Sequence, residues 1–508
     1  MKKLFTIIVI IGIIGAVLVI IKPGKKDTLP PLGGGGRCGD GICGPVEASD
    51  HNICPIDCLE RIDKEDGPKP TDDSDKKGKD SDTDIIKSSN KDLPFGILTS
   101  FYPPKRSGSG ERPTEYKWEA SSNDNPAFTT ALDIGIGWER ASHPVLDWAF
   151  VQKNAQDIIG KNYDWSVSDN YIKKVPASLN LVITLNVGDS RLKTGTWQFP
   201  NPQLKTEYVN FVKAAVERYD GDGINDMSGL KSPVKYWQFE NEPVSHINRS
   251  GDKPQPNYDW EGFSELMKIT YESVKSADSS AKVLAAGTAD AGPQRQNILD
   301  NFWLPLIGNL NGKYVDIFDI HWFSRWQDSY AFYNQFKSKM NQSGFSQTPI
   351  WMTENGSSSK DGEDVQAKDL VKRMVYPFSY GVKKVFWAWG LVEGWPPFKC
   401  DSMFDYTGLI YDGACSPDEG YGVKKLGYFT YKKLVETLSG SDFDNIQKIQ
   451  ESGGVYVYKF PRQGKDVWVM WNENSSSKQI TLSDIDSASV IITEAIPKYK
   501  KGKDVTDY

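Results

Sequence analysis

Between Leu93 and Gly440, short apolar runs alternate with helical patterns eight times. The runs are Phe95–Phe101, Ile134–Arg140, Leu181–Val187, Val234–Glu240, Lys282–Gly287, Val315–His321, Ile350–Thr353 and Lys384–Trp389. A strand covered on both faces reads as a continuous apolar run, and parallel strands need a long crossover between them, usually a helix. Leu204–Arg218, Trp260–Ala277 and Val365–Tyr376 carry the helical period that such crossovers require. Eight units in a stretch of this length predict an α/β fold, a (β/α)8 TIM barrel, whose members run from ~200 to over 400 residues. An open, doubly wound sheet is the alternative. It would call for a Gly-rich phosphate loop after an early strand, and Gly135-Ile136-Gly137 lacks the third glycine.

The rhythm changes after Leu438-Ser439-Gly440. Gly454–Phe460, Asp466–Trp471, Gln479–Leu482 and Ser489–Thr493 are short alternating runs with no helical pattern between them. They predict a small β-sandwich or a partial sheet over residues 441–508, packed on a barrel domain of residues 93–440.

Three segments precede the barrel. Leu4–Ile21 is an apolar run of eighteen residues, ~27 Å long as a helix against a bilayer core of ~30 Å. No small-residue cleavage site follows it, so residues 1–22 are expected to form an uncleaved membrane anchor. Residues 23–59 hold a Gly33–Gly36 hinge and a cluster of four cysteines, Cys38, Cys43, Cys54 and Cys58. Their gaps of four, ten and three residues do not match the paired C-x2-C spacing of zinc sites, which favours disulfides. Cys400 and Cys415 are expected to form another. Disulfides persist outside the reducing cytosol, so the bulk of the chain is expected to be extracytoplasmic. In residues 60–92, 19 of 33 positions are charged, which predicts a flexible linker.

The formal net charge of −7 argues against a nucleic-acid partner. With 16 Trp and 23 Tyr, the chain is better suited to neutral, hydroxyl-rich ligands. It has four histidines, none at metal-ligand spacing, so no catalytic metal and no cofactor is expected. The acidic residues of the Cys-rich segment would suit a structural Ca²⁺. Asp220–Asp226 has part of a calcium-loop pattern, but Ile224 and Asn225 break it, and a turn is the favoured reading. The nucleophile elbow G-x-S-x-G of esterases is absent.

Chemistry in such barrels sits where strands end at the C-terminal face. The fourth run ends in Glu240-Asn241-Glu242-Pro243 and the seventh in Thr353-Glu354-Asn355-Gly356. Their ends can face each other across the barrel mouth. Glycosidic bond cleavage needs such a pair of carboxyl groups, one to protonate the leaving oxygen and one to attack the anomeric carbon or activate water. A single Glu at a strand end is more often a solvated residue or half of an ion pair. Two on separate apolar strands reverse that balance.

Asn241-Glu242-Pro243 followed about 110 residues later by Thr353-Glu354-Asn355-Gly356 resembles glycoside hydrolase clan A, a group of retaining (β/α)8 glycosidases. The resemblance spans roughly Leu93–Gly440. It is supported by Trp138-Glu139-Arg140, His321-Trp322-Phe323, Phe386-Trp387-Ala388-Trp389 and Thr407-Gly408-Leu409-Ile410 with Lys424–Leu438. Within the clan the chain is most similar to xylosidase-like and iduronidase-like members with a C-terminal β-sandwich.

The resemblance implies Glu242 as general acid/base and Glu354 as nucleophile. It also implies Asn241 on the sugar 2-hydroxyl, Arg140 holding Glu354 ionised, and Trp387 or Trp389 as an apolar platform under the sugar. His321, the only His at a strand end, either lines the sugar site or is structural. Trp322, Trp326 and Trp395 also fall at or after strand ends, where stacking on a sugar is plausible. Two departures bear on substrate class. Phe323 stands where clan members often carry a Tyr bonded to the nucleophile, and the third strand ends in Asn186-Val187-Gly188-Asp189 without a His. The resulting expectation is a membrane-anchored retaining β-glycosidase acting on an oligo- or polysaccharide. The alternatives are a non-catalytic surface carbohydrate-binding protein on the same barrel and a transglycosylase.

Overall fold

A computed structural model describes residues 5–11, 18–21, 92–98, 126–141, 145–187, 204–244, 259–289, 292–394, 400–464, 466–485 and 491–497. The chain divides into two compact units, residues 1–22 with 88–508, and residues 23–87. The second unit lies outside the described residues, and with it the four-cysteine segment and nearly all of the charged linker.

Strands are numbered along the chain from β1 (Phe5–Ile11) and β2 (Leu18–Ile21), which join the C-terminal sheets. The barrel consists of β3 (Phe95–Leu98), β4 (Trp138–Arg140), β5 (Asn180–Leu185), β6 (Tyr236–Phe239), β7 (Lys282–Thr288), β8 (Ile317–Trp322), β9 (Ile350–Asn355) and β10 (Val385–Trp387). It is closed in the order β10-β3-β4-β5-β6-β7-β8-β9, and its paired neighbours run parallel. Each predicted run contains or overlaps one strand. The run at Ile134–Arg140 begins too early, because Pro126–Ile134 is a helix and Gly135, at φ +90°, turns the chain before β4.

Alternation along the strands builds two cores. Outward residues such as Trp237, Phe239, Phe318, Ile320, Ile350 and Met352 pack with the surrounding helices. Inward residues Trp138, Val182, Leu284, Ile317, Trp351 and Phe386 fill the barrel itself. Gly96 on β3 is required there, since a Cβ would lie 2.7 Å from the Phe386 ring. At the same end the Lys384 ammonium lies 4.1 Å from the Trp138 ring centroid and 5.4 Å from that of Trp351. This cation–π seat stabilises a half-buried charge next to an apolar plug.

The C-terminal region comprises β11 (Gln447–Ser452), β12 (Val455–Phe460), β13 (Val467–Asn472), β14 (Lys478–Ile485) and β15 (Ile491–Glu494). Of the two expected forms the region takes the sheet and not the sandwich: one five-stranded antiparallel sheet, β11-β12-β13-β2-β15, with a separate ribbon of β1 and β14. The sheet lies against the barrel through Trp326, whose ring is 5.0 Å from Tyr456 and 5.5 Å from Trp471.

The membrane-spanning helix expected over residues 1–22 is corrected here. Phe5–Ile11 and Leu18–Ile21 are strands, and no helix among the described residues is long and apolar enough to cross a membrane. The physical reason is composition. The run is dominated by Ile and Val, whose branched Cβ favours strands, and β2 pairs through Val19 with Val469 on one side and Thr493 on the other.

Candidate active site

Simple alternation would point Glu354 away from the barrel axis. On β9, Trp351 and Thr353 face inward while Ile350 and Met352 pack outward. The register shows what turns Glu354 in. Asp319 pairs with Trp351 and His321 with Glu354, so two steps on β8 oppose three on β9. The same offset recurs against β10, where Val385 pairs with Met352 and Trp387 with Asn355. This irregularity has the form of a β-bulge, a device that re-aims a side chain. It brings Glu354 onto the same inner rim as His321.

On β6 a different local feature does the equivalent work. Glu240 follows the strand in the left-handed region, at φ +56°, and its carboxylate accepts from the Val187 backbone N–H at 3.0 Å. That turn carries Asn241 and Glu242 over the mouth of the barrel. Arg140, the last residue of β4, lies beneath them and is 2% exposed. Its three nitrogens donate to three acceptors: Nη1 to Glu354 Oε1 at 2.7 Å, Nε to Gln238 Oε1 at 2.6 Å, and Nη2 to Asn241 Oδ1 at 2.6 Å. A guanidinium can satisfy such a fan of acceptors in one plane, which an ammonium cannot.

His321 completes the set from β8. Its Nδ1 lies 2.7 Å from Glu242 Oε1 and 3.5 Å from Glu354 Oε1, while Nε2 lies 3.1 Å from Asp319 Oδ2. The ring needs a gap in β7, and Gly287 provides it: a Cβ there would lie 2.1 Å from Nε2. Asp319 is held in turn by the Thr353 hydroxyl, the Thr353 N–H at 2.9 Å and Gln238 Nε2 at 2.6 Å. One carboxylate oxygen of Glu242, one of Glu354 and a His321 ring nitrogen all lie within 4.8 Å of one another.

The electrostatics follow from this packing. Burial works to lower the His321 pKa, but the charges of Glu354 and Asp319 and the bonds to Asp319 and Glu242 raise it to about 10. The ring is therefore an imidazolium at neutral pH. Asp319 is pulled below the usual carboxylate range: burial opposes this, and His321, Arg140 and Thr353 outweigh it. Glu354 moves the other way. Burial raises it, His321 and Arg140 pull it down, Glu242 adds to the rise, and the net direction is up. Arg140 therefore acts on Glu354 in the expected sense without setting the net direction.

The structure brings together Arg140, Asn241, Glu242, His321 and Glu354. It separates Trp387 from them. That ring is wholly buried in the outer core, its Nε1 donating to the Thr407 carbonyl at 3.0 Å, so the expected sugar platform cannot be Trp387. The cause is alternation, which turns Trp387 outward from a barrel stave. Trp389 is partly exposed and keeps that role open, while Trp322 and Trp326 are buried. Trp395, His143, His246 and Asp189 lie outside the described residues. Phe323 packs edge-on against Phe404 at 4.8 Å. Cys400 and Cys415 are disulfide-bonded, as expected, which ties down the loop that carries Phe404.

Gln238, Asp319 and Thr353 were not among the expected site residues. The available signal was spacing: Asp319 lies two residues before His321, Thr353 two after Trp351 and Gln238 two after Tyr236, so each shares an inward face.

No family model and no curated protein matches the chain. Solved structures do. A glucosidase from Croceicoccus marinus matches with a TM-score of 0.47 and 14% identity, over 73% of this chain and 77% of that one. A GH5_18 protein from Streptomyces cattleya, in complex with Manβ1-4GlcNAc, matches with a TM-score of 0.48 and 11% identity, over 68% and 81%. A family 1 β-glucosidase from Thermotoga maritima gives a TM-score of 0.46 and 12% identity, over 68% and 98%.

Proposed function

We propose that the protein is a retaining glycoside hydrolase that cleaves β-linked glycans by double displacement. The observation that carries this reading is the approach of Glu242 and Glu354, with carboxylate oxygens within 4.8 Å. Retaining enzymes hold their two carboxyl groups ~5–5.5 Å apart, while inverting enzymes leave ~6.5–9.5 Å for a water. The two environments also divide the labour. Glu354 is buried on the floor, fixed by Arg140 and beside the His321 imidazolium, as a nucleophile awaiting an anomeric carbon must be. The Glu242 side chain is 18% exposed and faces solvent, where a leaving oxygen would sit. With Nδ1–H of His321 donating to Oε1, a proton carried by Glu242 is directed to its other oxygen. Asn241 gives its carbonyl oxygen to Arg140, which keeps its amide N–H pair for a sugar hydroxyl.

Full-length protein and a Glu242→Gln variant, tested against a panel of β-linked polysaccharides and aryl glycosides, decide the class. Sugar release by the parent, reduced about 10²–10⁴-fold in the variant on substrates with poor leaving groups, is the expected result. Because the net shift of Glu354 is upward, the acidic limb of the parent's kcat/KM profile should lie above the ordinary 4.5 of a Glu. Glycan binding in both proteins without release would establish a lectin instead. Release of longer oligosaccharides from short ones would establish a transglycosylase. The narrower placement among xylosidase- and iduronidase-like enzymes rests on the sequence motifs and the appended sheet.

An extracytoplasmic location is part of the proposal, and the Cys400–Cys415 bridge supports it. It closes a 15-residue separation, for which the chain-entropy contribution is about 3 kcal/mol. Replacing both cysteines by Ser is expected to lower the unfolding midpoint in oxidising buffer. A double variant indistinguishable from the parent would remove the support.

A further inference from the structure

Gln238 is wholly buried and bonded at both ends of its amide. Its Oε1 accepts from Arg140 Nε at 2.6 Å, and its Nε2 donates to Asp319 Oδ2 at 2.6 Å and to the Ala285 carbonyl at 3.1 Å. The partners fix its orientation, since a guanidinium can only donate and a carboxylate or carbonyl can only accept. Few side chains meet these demands. A carboxylate would set negative oxygen against Asp319 and the Ala285 carbonyl, and a hydrocarbon would leave one buried donor and two acceptors without this partner. Only a neutral group with an acceptor on one end and two hydrogens on the other fits.

Its position in the network is also particular. Arg140 on β4 holds Glu354 and Asn241, and Asp319 on β8 holds His321, which holds Glu242. The groups facing Gln238 are thus Arg140 from β4, Asp319 with His321 beyond it from β8, and the Ala285 carbonyl from β7. Thr353 on β9 shares Asp319 with it. The cationic half of the site that serves one carboxylate and the ion pair that serves the other meet at this one amide.

We propose that Gln238 is a positioning residue whose neutral carboxamide locks Arg140 and Asp319 to each other, and through them fixes Glu354 and Glu242 as one unit. The inference rests on the glycosidase reading for its catalytic consequence, but not for the coupling itself. Without the amide, Arg140 keeps only Glu354 and Asn241, Asp319 keeps only Thr353 and His321, and the link that sets the two catalytic carboxyls relative to each other is lost. Misplacement of ~1 Å at a reacting group can reduce rate about 10²-fold.

Gln238→Leu and Gln238→Glu in the full-length chain test this. The first readout is independent of turnover: ¹⁵N-histidine NMR of the His321 ring across pH 5–10. The expected result is a displaced ring resonance and a lower titration midpoint in Gln238→Leu. The second is kcat/KM against pH on whichever glycan is cleaved. Gln238→Leu should lose about 10²-fold with both limbs displaced. Gln238→Glu should lose less at low pH, where a protonated carboxyl keeps the acceptor for Arg140 and one of the amide's two donated bonds, and progressively more as pH rises. If Gln238→Leu does not fold, the pH-dependent ratio of Gln238→Glu to parent carries the test, and a flat ratio overturns the proposal. An unchanged His321 resonance in folded variants overturns it as well. Absence of any glycan turnover would refute the glycosidase reading and leave the NMR result to decide the coupling.

Discussion

Glu354→Ala is expected to lower kcat by about 10⁴-fold or more while the protein stays folded. The size of the effect follows from the role: in double displacement the nucleophile makes the bond that defines the intermediate, and no neighbour can replace it. Retention of the fold follows from the remaining contacts. Arg140 keeps Gln238 and Asn241 as acceptors, and His321 keeps Asp319 and Glu242, so neither cation is stranded. Circular dichroism and an unfolding midpoint check that part. A small anion then distinguishes the two glutamates. Azide admitted to the space left by Glu354 would attack the anomeric carbon from the nucleophile's face and give the α-glycosyl azide from a β-glycoside. With Glu242→Ala, azide would attack the glycosyl-enzyme from the opposite face and give the β-azide. Products with the reverse assignment would exchange the two roles, and full activity in Glu354→Ala would end the double-displacement reading.

The barrel was legible because eight buried strands cannot hide their apolar runs, and Glu242 and Glu354 were legible because a carboxyl at the end of such a run is conspicuous. What the spacing could not supply was orientation. Strict alternation along Ile350–Asn355 would have faced Thr353 inward and Glu354 outward, and only the two-against-three register with β8 and β10 puts Glu354 in the site. Trp387 failed for the same reason in reverse: alternation placed it in the outer core, whatever its aromatic character suggests. The network of Gln238, Asp319 and Thr353 depends on three strands distant in sequence coming into register, which a linear reading does not reveal. The Ile- and Val-rich run near the N-terminus shows a different limit. Length and hydropathy alone fit a bilayer span, whereas β-branching and two available strand partners fit a sheet.

His321 should remain protonated through pH 8, in contrast to an ordinary imidazole of pKa ~6.5. Burial alone would strip its proton, but Glu354, Asp319 and Glu242 surround it and carry the pKa to about 10. The consequence for stability has a definite sign. A base whose pKa is raised on folding binds more protons in the native than in the unfolded chain between the two values. Its contribution is therefore complete below about pH 6.5 and disappears as pH rises toward 10. Its size is on the order of a few kcal/mol. Other buried groups titrate in the same range and would blur the parent's own curve. Glu393 is raised by burial to about 8, against the pull of Lys425, and Lys384 is lowered by burial to about 8. Both are present in a His321→Gln variant, so the difference in unfolding free energy between parent and variant cancels them and leaves the ring with the carboxylates it acts on. That difference should be largest near pH 6 and shrink steadily toward pH 10. In ¹⁵N-histidine spectra of the parent, one of the four histidines should fail to titrate between pH 5.5 and 8.5. If all four titrate near 6.5, the imidazolium that holds Glu242 in place is lost, and the orientation of the acid's proton toward the leaving oxygen loses its physical basis.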